Sequence, residues 1–313
     1  MQPMLYLSEE RVGELLRWPE LIDTMERALA DFSLGKVLQP VRNMLTIEEG
    51  KGYLGIMPAV AKAAMGAKLV SFYPGNAGTR VPTHLAMVLL FRSDTGEPLA
   101  VMDGRLITEM RTAAVSAAAT RRLAGPASQI LTLLGSGVQA AAHLQALGHL
   151  RSFEEIRVWS RTPEHAAHFA EQHNVMAMPS AEAAVRGADV VVTATAAVQP
   201  ILKGGWLKPG AHVNAVGSPR PDWRELDDEA MRNTLIVDSR DAVLEESGDV
   251  ILSGATIYAE IGEIFAGLKP TPAAATTIFK SVGIAIEDIA AAKLVYDAAL
   301  RAERQRQPVP ILR

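Results

Sequence analysis

Small residues occupy three fixed positions in the segment Gly135-Ser136-Gly137-Val138-Gln139-Ala140, which lies between two contrasting hydrophobic patterns. The apolar run Ile130-Leu131-Thr132-Leu133-Leu134 before it predicts a buried strand, and the alanine-rich stretch that follows predicts a helix over about residues 138–147. In this order the first glycine turns the chain tightly, the second lets backbone amides approach a pyrophosphate, and the alanine lets the helix pack on the strand. The segment therefore predicts a dinucleotide-binding loop, with contacts from Gly135, Gly137, Val138 and Gln139, rather than a purely structural turn.

The chain after this loop alternates between strand and helix patterns. A helical pattern covers residues 163–173, and short apolar runs predict further strands at residues 155–159, 189–195, 212–216 and 235–237. Such alternation implies right-handed crossovers and a parallel sheet with helices on both faces. The fold class is therefore predicted to be α/β, with a Rossmann-type dinucleotide-binding domain over residues 116–284.

The chain before this domain follows a different pattern. Residues 8–34 show mostly helical spacing, and short apolar runs separated by Gly and Pro then predict a largely antiparallel sheet. These runs lie at residues 43–47, 52–57, 66–72, 85–91 and 99–102. Residues 108–123 and 276–304 predict further helices, so residues 1–115 and 285–313 are expected to form one discontinuous α+β domain.

The type of cofactor is indicated by the residues that follow the second predicted strand, Ser160, Arg161 and Thr162. An acidic residue at this place binds the ribose 2′-hydroxyl of NADH and repels the 2′-phosphate of NADPH. Two hydroxyls and a guanidinium suit that phosphate, because arginine can donate two hydrogen bonds to it. The sequence favours NADPH, with NADH possible but weaker, over the alternative that Arg161 is only a solvated side chain at a helix start.

Charge and residue content argue against several other classes of protein. With 31 Lys and Arg against 35 Asp and Glu, the chain has a net charge of −4 and no long basic block, so no nucleic acid partner is expected. The absence of cysteine, together with the lack of a signal or membrane-spanning pattern, leads us to expect a cytoplasmic protein without membrane contact. The seven histidines form no metal-binding motif, and no metal is expected.

Three cationic residues border predicted strands or helices before the dinucleotide-binding domain: Arg42, Lys68 and Arg111. Taken singly, each is typical of a surface charge. Together they suit a carboxylate clamp, in which the arginines hold an acid group and the lysine faces a reacting nitrogen or a water. Residues 217–225 follow a predicted parallel strand at its carboxyl end, where open α/β sheets bind ligands, although their prolines are equally typical of a rigid loop.

Several motifs carry a family resemblance. Four of them are Gly52-Tyr53-Leu54-Gly55-Ile56-Met57-Pro58, Val101-Met102-Asp103-Gly104, Arg111-Thr112-Ala113-Ala114 and Asn214-Ala215-Val216-Gly217. These resemble the ornithine cyclodeaminase and mu-crystallin family. Three further segments are similar to its ketimine reductase branch: residues 220–227, residues 246–250, and residues 280–283 with the later pair Glu287-Asp288. The similarity extends from about residue 37 to residue 298.

This resemblance implies an NAD(P)H-dependent reductase that converts cyclic imino acids, such as piperideine-2-carboxylate and pyrroline-2-carboxylate, to L-pipecolate and L-proline. It also implies a homodimer that pairs through the substrate-binding domain outside the Rossmann fold. The matching motifs imply that Arg42, Lys68 and Arg111 surround the substrate, with Lys68 as proton donor or iminium stabiliser. Residues implied in dinucleotide contact, besides Arg111 and the glycine loop, are Thr83, Gln139, Ser160, Arg161, Thr162, Thr195 and Val216. Residues implied near the substrate are Asp222, Trp223 and Glu246, of which Glu246 is a candidate catalytic group.

Three departures separate the chain from the ornithine cyclodeaminases. Those enzymes carry acidic residues where this chain has Gly55, Ser218-Pro219 and Ser160-Arg161. Cyclisation of ornithine with release of ammonia is therefore not expected. Two alternatives stay open: an alanine or N-alkyl amino acid dehydrogenase that reduces the imine of a 2-oxo acid and an amine, and a non-catalytic, NADPH-dependent protein that binds a small thyroid-hormone-like ligand.

Overall fold

The computed structural model describes residues 4–273 and 275–306, which form two β-sheets with helices packed against them. The strands of the first sheet are β1 (Leu5–Leu7), β2 (Asn43–Glu48), β3 (Gly52–Val60), β4 (Met65–Phe72), β5 (His84–Phe91) and β6 (Pro98–Asp103). Their order is β1-β6-β5-β4-β3-β2, and all neighbours are antiparallel except β1 and β6, which are parallel. The prediction of a largely antiparallel sheet is confirmed.

The second sheet is entirely parallel. Its strands are β7 (Ile130–Leu134), β8 (Glu155–Trp159), β9 (Met176–Ala177), β10 (Val190–Thr193), β11 (His212–Ala215), β12 (Thr234–Val237), β13 (Ile257–Glu260) and β14 (Thr277–Lys280). Their order is β13-β12-β14-β11-β10-β7-β8-β9. The chain moves outward in opposite directions from β7 and β10, so this pair is the switch point beside which open α/β sheets bind ligands. The predicted Rossmann-type α/β fold is confirmed.

Helices connect and cover the two sheets. In the described residues they are α1 (Glu9–Leu15), α2 (Trp18–Ser33), α3 (Arg105–Leu123), α4 (Val138–Gly148), α5 (Pro163–His173), α6 (Ala181–Val185), α7 (Asp228–Met231), α8 (Arg240–Glu246), α9 (Gly248–Ser253), α10 (Ile261–Phe265) and α11 (Ala285–Arg306). Helix α3 carries the chain from the first sheet to the second, and α11 returns it to pack on β3, β4 and β5. None of these helices combines the length and the apolar composition needed to cross a membrane.

The two faces of the first sheet have opposite surroundings, because successive side chains of a strand point to opposite sides. Met57, Lys68 and Val88 are paired neighbours in one row, and all three are buried on the face that packs against α11. Leu85 and Met87 point to the other face, where each keeps more than a third of its surface exposed. We call these two sides the inner and outer faces of the sheet.

The prediction of one helix over residues 276–304 is wrong in its first part. Residues Thr277–Lys280 form strand β14, which is completely buried between β11 and β12, and helix α11 begins only at Ala285. Threonine, isoleucine and phenylalanine favour a strand, and Gly283 with φ of +79° interrupts any continuous helix. A short strand buried on both faces lacks the alternation that would have revealed it. The strands β1, β9 and β13 also escape prediction, because two to four residues are too few to show a periodic pattern.

The domain boundary predicted between residues 115 and 116 falls inside a continuous element. Helix α3 runs from Arg105 to Leu123 without interruption, while the first sheet ends at Asp103 and the second begins at Ile130. The two predicted domains, residues 1–115 with 285–313 and residues 116–284, therefore remain a proposal.

Candidate active site

The glycine loop lies at the switch point of the parallel sheet. Gly135 has φ of +120°, and a Cβ atom there would approach the carbonyl oxygen of Ala194 to 2.6 Å. Its N–H donates to the carbonyl oxygen of Trp159 at 2.8 Å, so the loop is held against the ends of β8 and β10. Only glycine fits this position, because both the backbone angle and the close contact exclude a side chain.

The start of helix α4 fits the pyrophosphate of a dinucleotide. A Cβ atom on Gly137, the residue that precedes the helix, would meet no atom within 4 Å, so open space lies before the free N–H groups of the first turn. Val138 follows with 55% of its surface exposed. The side-chain Oε1 of Gln139 is buried without a hydrogen-bond partner in the described structure, as expected for a group that completes its contacts with a ligand.

The residues predicted to hold the 2′-phosphate lie at the end of β8, beside the glycine loop. Ser160 and Thr162 are half-buried, and Thr162 precedes helix α5 without using its hydroxyl to cap it. Arg161 is exposed and has no carboxylate partner in the ranges that the structure describes. All three side chains are therefore available to a phosphate group at this corner of the sheet.

Three other predicted dinucleotide contacts lie on separate elements. Thr195 and Val216 are half-buried beyond the ends of β10 and β11. Thr83 is half-buried just before β5, where its hydroxyl lies 3.2 Å from Nδ1 of His84. Their contacts with a dinucleotide remain predictions.

A buried glutamate that sequence reasoning missed connects the strand ends. Glu225 accepts hydrogen bonds from the hydroxyls of Thr193 and Thr195 at 2.7 Å each, and from the N–H groups of Thr195 at 2.7 Å and Gly217 at 2.9 Å. Burial, opposed by the charge of Lys280, raises the pKa of Glu225. This carboxyl group thus holds the ends of β10 and β11 in register at the mouth of the crevice.

Lys280 and Asp249 form a buried ion pair that also binds the loop after β11. Nζ of Lys280 donates to the carbonyl oxygen of Gly217 at 2.7 Å and pairs with Oδ2 of Asp249 at 2.9 Å. Oδ1 of Asp249 accepts the N–H groups of Glu225 and Leu226 at 2.8 and 2.9 Å. These buried contacts therefore hold the loop after β11 in one position.

Lys68 occupies the middle of the inner face of the first sheet, on β4. Its side chain is 2% exposed, and Nζ lies 2.7 Å from Oδ2 of Asp288 at the start of α11 and 3.5 Å from the hydroxyl of Thr108. Burial lowers the pKa of Lys68 to about 8, although the charge of Asp288 raises it. A lysine with this pKa can deliver a proton near neutral pH and recover it from solvent.

Arg111 reaches the same point from helix α3. Its Nε donates to Oδ1 of Asp288 at 3.0 Å, and its Nη1 pairs with Glu287. Burial raises the pKa of Glu287 to about 7, against the lowering effect of Arg111. A Cβ atom on Gly283 would collide with the guanidinium, so glycine is required where this loop crosses Arg111.

Arg42 approaches from the chain before β2 and binds groups of the parallel-sheet half. Its Nε donates to Glu246 at 2.7 Å, and its Nη2 donates to the carbonyl oxygens of Val282 and Gly283 at 2.6 and 2.9 Å. Burial raises the pKa of Glu246, and the charge of Arg42 opposes that effect. Arg42 therefore joins the first sheet to the carboxyl end of the second.

The loop that receives Arg42 is itself held by a buried carboxylate. Oδ2 of Asp238, which follows β12, accepts hydrogen bonds from the hydroxyl of Ser281 at 2.8 Å and from the N–H groups of Val282 and Gly283 at 2.8 and 2.7 Å. Because the loop is fixed in this way, its carbonyl groups present a rigid partner to the Arg42 guanidinium.

The three predicted cations thus converge with three acids, Glu246, Glu287 and Asp288. Nη1 of Arg42 and Nη2 of Arg111 have no hydrogen-bond partner among the described residues, so each guanidinium retains donors for a ligand. Sequence reasoning noted the pair Glu287-Asp288 only as a motif and gave it no role. Acidic residues in the first turn of a helix are common, and nothing local indicated that these two are buried.

The other predicted substrate residues lie in the loop after β11. Trp223 is half-buried, and its ring centroid lies 4.8 Å from the guanidinium carbon of Arg220. Asp222 is exposed, and no cation pairs with it in the described part of the chain. Over the same residues, no group of three or more His, Asp or Glu side chains is arranged to hold a metal ion.

Comparison with a family model decides the affiliation. Residues 2–303 match the model described as the ornithine cyclodeaminase/mu-crystallin family. The chain belongs to this family. The ketimine reductase mu-crystallin of Mus musculus, a family relative, is 53% identical over 302 residues, which cover 94% of this chain and 96% of the mouse protein.

Solved structures show the same fold over nearly the whole chain. Thermococcus litoralis Delta(1)-pyrroline-2-carboxylate reductase, in complex with NADH and L-proline, superposes with a TM-score of 0.90 at 38% identity, covering 96% of this chain and 98% of that one. An archaeal alanine dehydrogenase dimer with bound NAD gives a TM-score of 0.89 at 33% identity, covering 96% and 97%. Both relatives therefore bind a nicotinamide dinucleotide on this fold.

Proposed function

We propose that this protein is an NADPH-dependent ketimine reductase, which reduces cyclic imino acids such as piperideine-2-carboxylate and pyrroline-2-carboxylate to L-pipecolate and L-proline. The observation that carries the proposal is the buried Lys68, flanked by Arg42 and Arg111 at the carboxyl end of a dinucleotide-binding sheet. The mouse relative is named a ketimine reductase, and the Thermococcus relative binds NADH and L-proline.

In this proposal the two arginines orient the substrate. Its carboxylate accepts hydrogen bonds from the unpartnered Nη1 of Arg42 and Nη2 of Arg111, while Glu246 and Glu287 hold the guanidinium groups in place. The planar imine then lies over Lys68 on the inner face of the first sheet. Because Arg111 is held by two buried acids, the geometry is set before the substrate arrives.

The proton comes from Lys68, whose ammonium group faces the imine nitrogen. Protonation of that nitrogen makes the adjacent carbon electrophilic, and Glu246 and Asp288 offset the positive charge around it. The nicotinamide dinucleotide, when bound, supplies the hydride that the carbon accepts. Asp288 keeps the pKa of Lys68 from falling further, so the lysine is protonated at neutral pH.

The proposal is tested by following dinucleotide oxidation with the two cyclic imino acids. We expect turnover of both, and the absence of turnover with any imine would contradict the reductase function.

The archaeal alanine dehydrogenase supports a second candidate function, the reduction of an open-chain imine formed from a 2-oxo acid and an amine. Pyruvate with methylamine, in the same assay, measures that activity.

The preference for NADPH is proposed from Arg161. We expect Arg161→Asp to shift the ratio of kcat/KM from NADPH towards NADH by tenfold or more, about 1.4 kcal/mol, because an acidic residue there repels the 2′-phosphate and binds the ribose hydroxyls. The measurement is kcat/KM for both dinucleotides with one imine. Arg186→Asp, at the exposed residue that follows α6, serves as control. An unchanged ratio in Arg161→Asp would show that the 2′-phosphate binds elsewhere.

A homodimer that pairs through the outer face of the first sheet is also proposed. Tyr6, Leu45, Leu85 and Met87 point to this face and are 41–72% exposed, and the archaeal relative is a dimer. We expect Met87→Glu to give a monomer in sedimentation, with Met176→Glu on the exposed strand β9 as the matched control. If the wild-type protein is a monomer, or if Met87→Glu remains a dimer, this interface is excluded.

We also propose that the protein is located in the cytoplasm, in keeping with its lack of cysteine.

A further inference from the structure

The guanidinium group of Arg220 lies within a cage of aromatic rings. Its central carbon is 4.8 Å from the ring centroid of Tyr53 on β3, 5.8 Å from that of Phe72 on β4, and 4.8 Å from that of Trp223. The cage therefore combines the inner face of the first sheet with the loop after β11. Aromatic faces stabilise a cation but leave the N–H groups in the guanidinium plane free for an anion.

The backbone around Arg220 is built to hold this position. Ser218 adopts a left-handed conformation with φ of +50°, which is rare for serine, and its hydroxyl donates to the carbonyl oxygen of Ala197 at 2.6 Å. The carbonyl oxygen of Arg220 accepts the N–H groups of Trp223 at 3.2 Å and Gly248 at 2.9 Å. A strained turn fixed by several hydrogen bonds is typical of a functional position.

Arg220 lacks the acidic partner that the other arginines of this region have. Arg42 and Arg111 pair with Glu246 and Glu287, and the neighbouring Arg224 pairs with Asp228 at 2.7 Å. In the ranges the structure describes, no carboxylate lies within ion-pair distance of Arg220, whose side chain is nevertheless half-buried. A partly desolvated cation without a counterion is stabilised when a ligand supplies the anion.

The cage lies on the same face of the sheet as Lys68. Phe72 is four residues along β4 from Lys68, which corresponds to roughly 13 Å along a strand. Val70 lies between them on β4, opposite Gly55 of β3, and the side chains of Val70 and Met44 cover Gly55 so closely that a Cβ atom there would approach them to 2.9 and 2.8 Å. The surface that connects the two cationic positions is therefore apolar.

We propose that Arg220 is a second anion-binding position of the substrate site, and that it selects elongated imino acids bearing a further carboxylate at the end remote from the C=N bond. This inference rests on the proposed reductase function. The first carboxylate binds beside Lys68, the carbon chain crosses the side chains of Val70 and Met44, and the second carboxylate accepts hydrogen bonds from the Arg220 guanidinium. Substrates of this class are imines with an acidic side chain, or imines formed from a 2-oxo acid and an amino acid.

The experiment compares dicarboxylates with monocarboxylates of equal carbon number. Succinate, glutarate, adipate, pimelate and suberate are titrated by calorimetry into the NADPH-bound protein, beside butyrate, valerate, hexanoate, heptanoate and octanoate. For the best-fitting length we expect the dicarboxylate to bind about tenfold more tightly or better, since a hydrogen-bonded charge pair is formed at the second end. We expect Arg220→Met to bring this ratio near one.

Two further variants complete the test. Arg186→Met, at an exposed residue of another surface, should keep the wild-type ratio of dicarboxylate to monocarboxylate affinity. Arg220→Lys should keep part of that ratio, because lysine retains the charge but lacks the planar guanidinium that donates two parallel hydrogen bonds. Equal affinities for the two series in the wild type, or a preference that persists in Arg220→Met, would overturn the proposal. Since affinity is measured without turnover, a protein that reduces no imine would contradict the reductase function and still report on Arg220.

Discussion

We expect Lys68→Met to lower kcat for piperideine-2-carboxylate reduction by about 10²- to 10⁴-fold, the usual contribution of a positioned proton donor. Methionine fills the same apolar space between Met57 and Val88, while Asp288 keeps its hydrogen bond to Arg111. The variant also breaks the buried pair with Asp288, so the free energy of unfolding should fall by about 3–5 kcal/mol, and kcat is compared under conditions where both proteins are folded. Steady-state kinetics with NADPH, together with the midpoint of thermal unfolding, measure both effects.

The pH dependence of the same variant gives a sharper test. The pKa of Lys68 is lowered to about 8 by burial, and only the protonated lysine can donate, so kcat/KM of the wild type should fall as pH rises through about 8. In Lys68→Met, kcat/KM should not fall in this way as pH rises. Any change caused by titration of the substrate would appear in both proteins, so the difference between their profiles reports on Lys68. Lys293→Met on α11, at a surface ion pair, is the matched control. A variant with wild-type kcat and the same decline would exclude Lys68 as the donor.

The second large effect is expected for Asp288→Asn. Asp288 pairs with Lys68 at 2.7 Å and with Arg111 at 3.0 Å, and all three side chains are almost fully buried. Removal of its charge leaves two neighbouring cations undercompensated, which should reduce the free energy of unfolding by about 3–5 kcal/mol. Denaturation by urea measures this loss.

The same variant should move the alkaline decline of activity to lower pH. The charge of Asp288 raises the pKa of Lys68, so its removal lowers that pKa below about 8 and reduces the protonated fraction at neutral pH. Asp297→Asn, which breaks the surface pair with Lys293, should cost less than about 1 kcal/mol and leave the decline in place. A wild-type pH profile in Asp288→Asn would mean that Asp288 does not set the protonation of Lys68.

Much of the dinucleotide half was predictable from local sequence. The glycine loop, helix α4 and the position of Arg161 follow from short-range rules, because a tight turn, an open helix start and a strand end each require particular residues nearby. Strand β14 was not predictable in the same way. Its burial between β11 and β12 depends on a long return of the chain, and its four residues, all buried, are too few to show the alternation that marks a strand.

The residues around Lys68 were also predictable only in part. The residues Arg42, Lys68 and Arg111 were identified together through motifs, but their acidic partners were not. Asp288 is 177 residues from Arg111 along the chain, and the Glu246 carboxylate is 204 residues from Arg42. No local pattern connects groups so far apart. The packing of α11 on the inner face of the first sheet brings Asp288 to Arg111, whereas Glu246 meets Arg42 from the end of α8.

The sequence by itself thus determined the dinucleotide loop, the family and the cations of the candidate site, because these depend on residue type and short spacing. Tertiary structure alone decided which carboxylates balance those cations, how burial lowers the pKa of Lys68, and that Arg220 stands in an aromatic cage. The physical reason is that desolvation and charge pairing depend on distances in space, which are set by the sheet order and the helices between the two sheets.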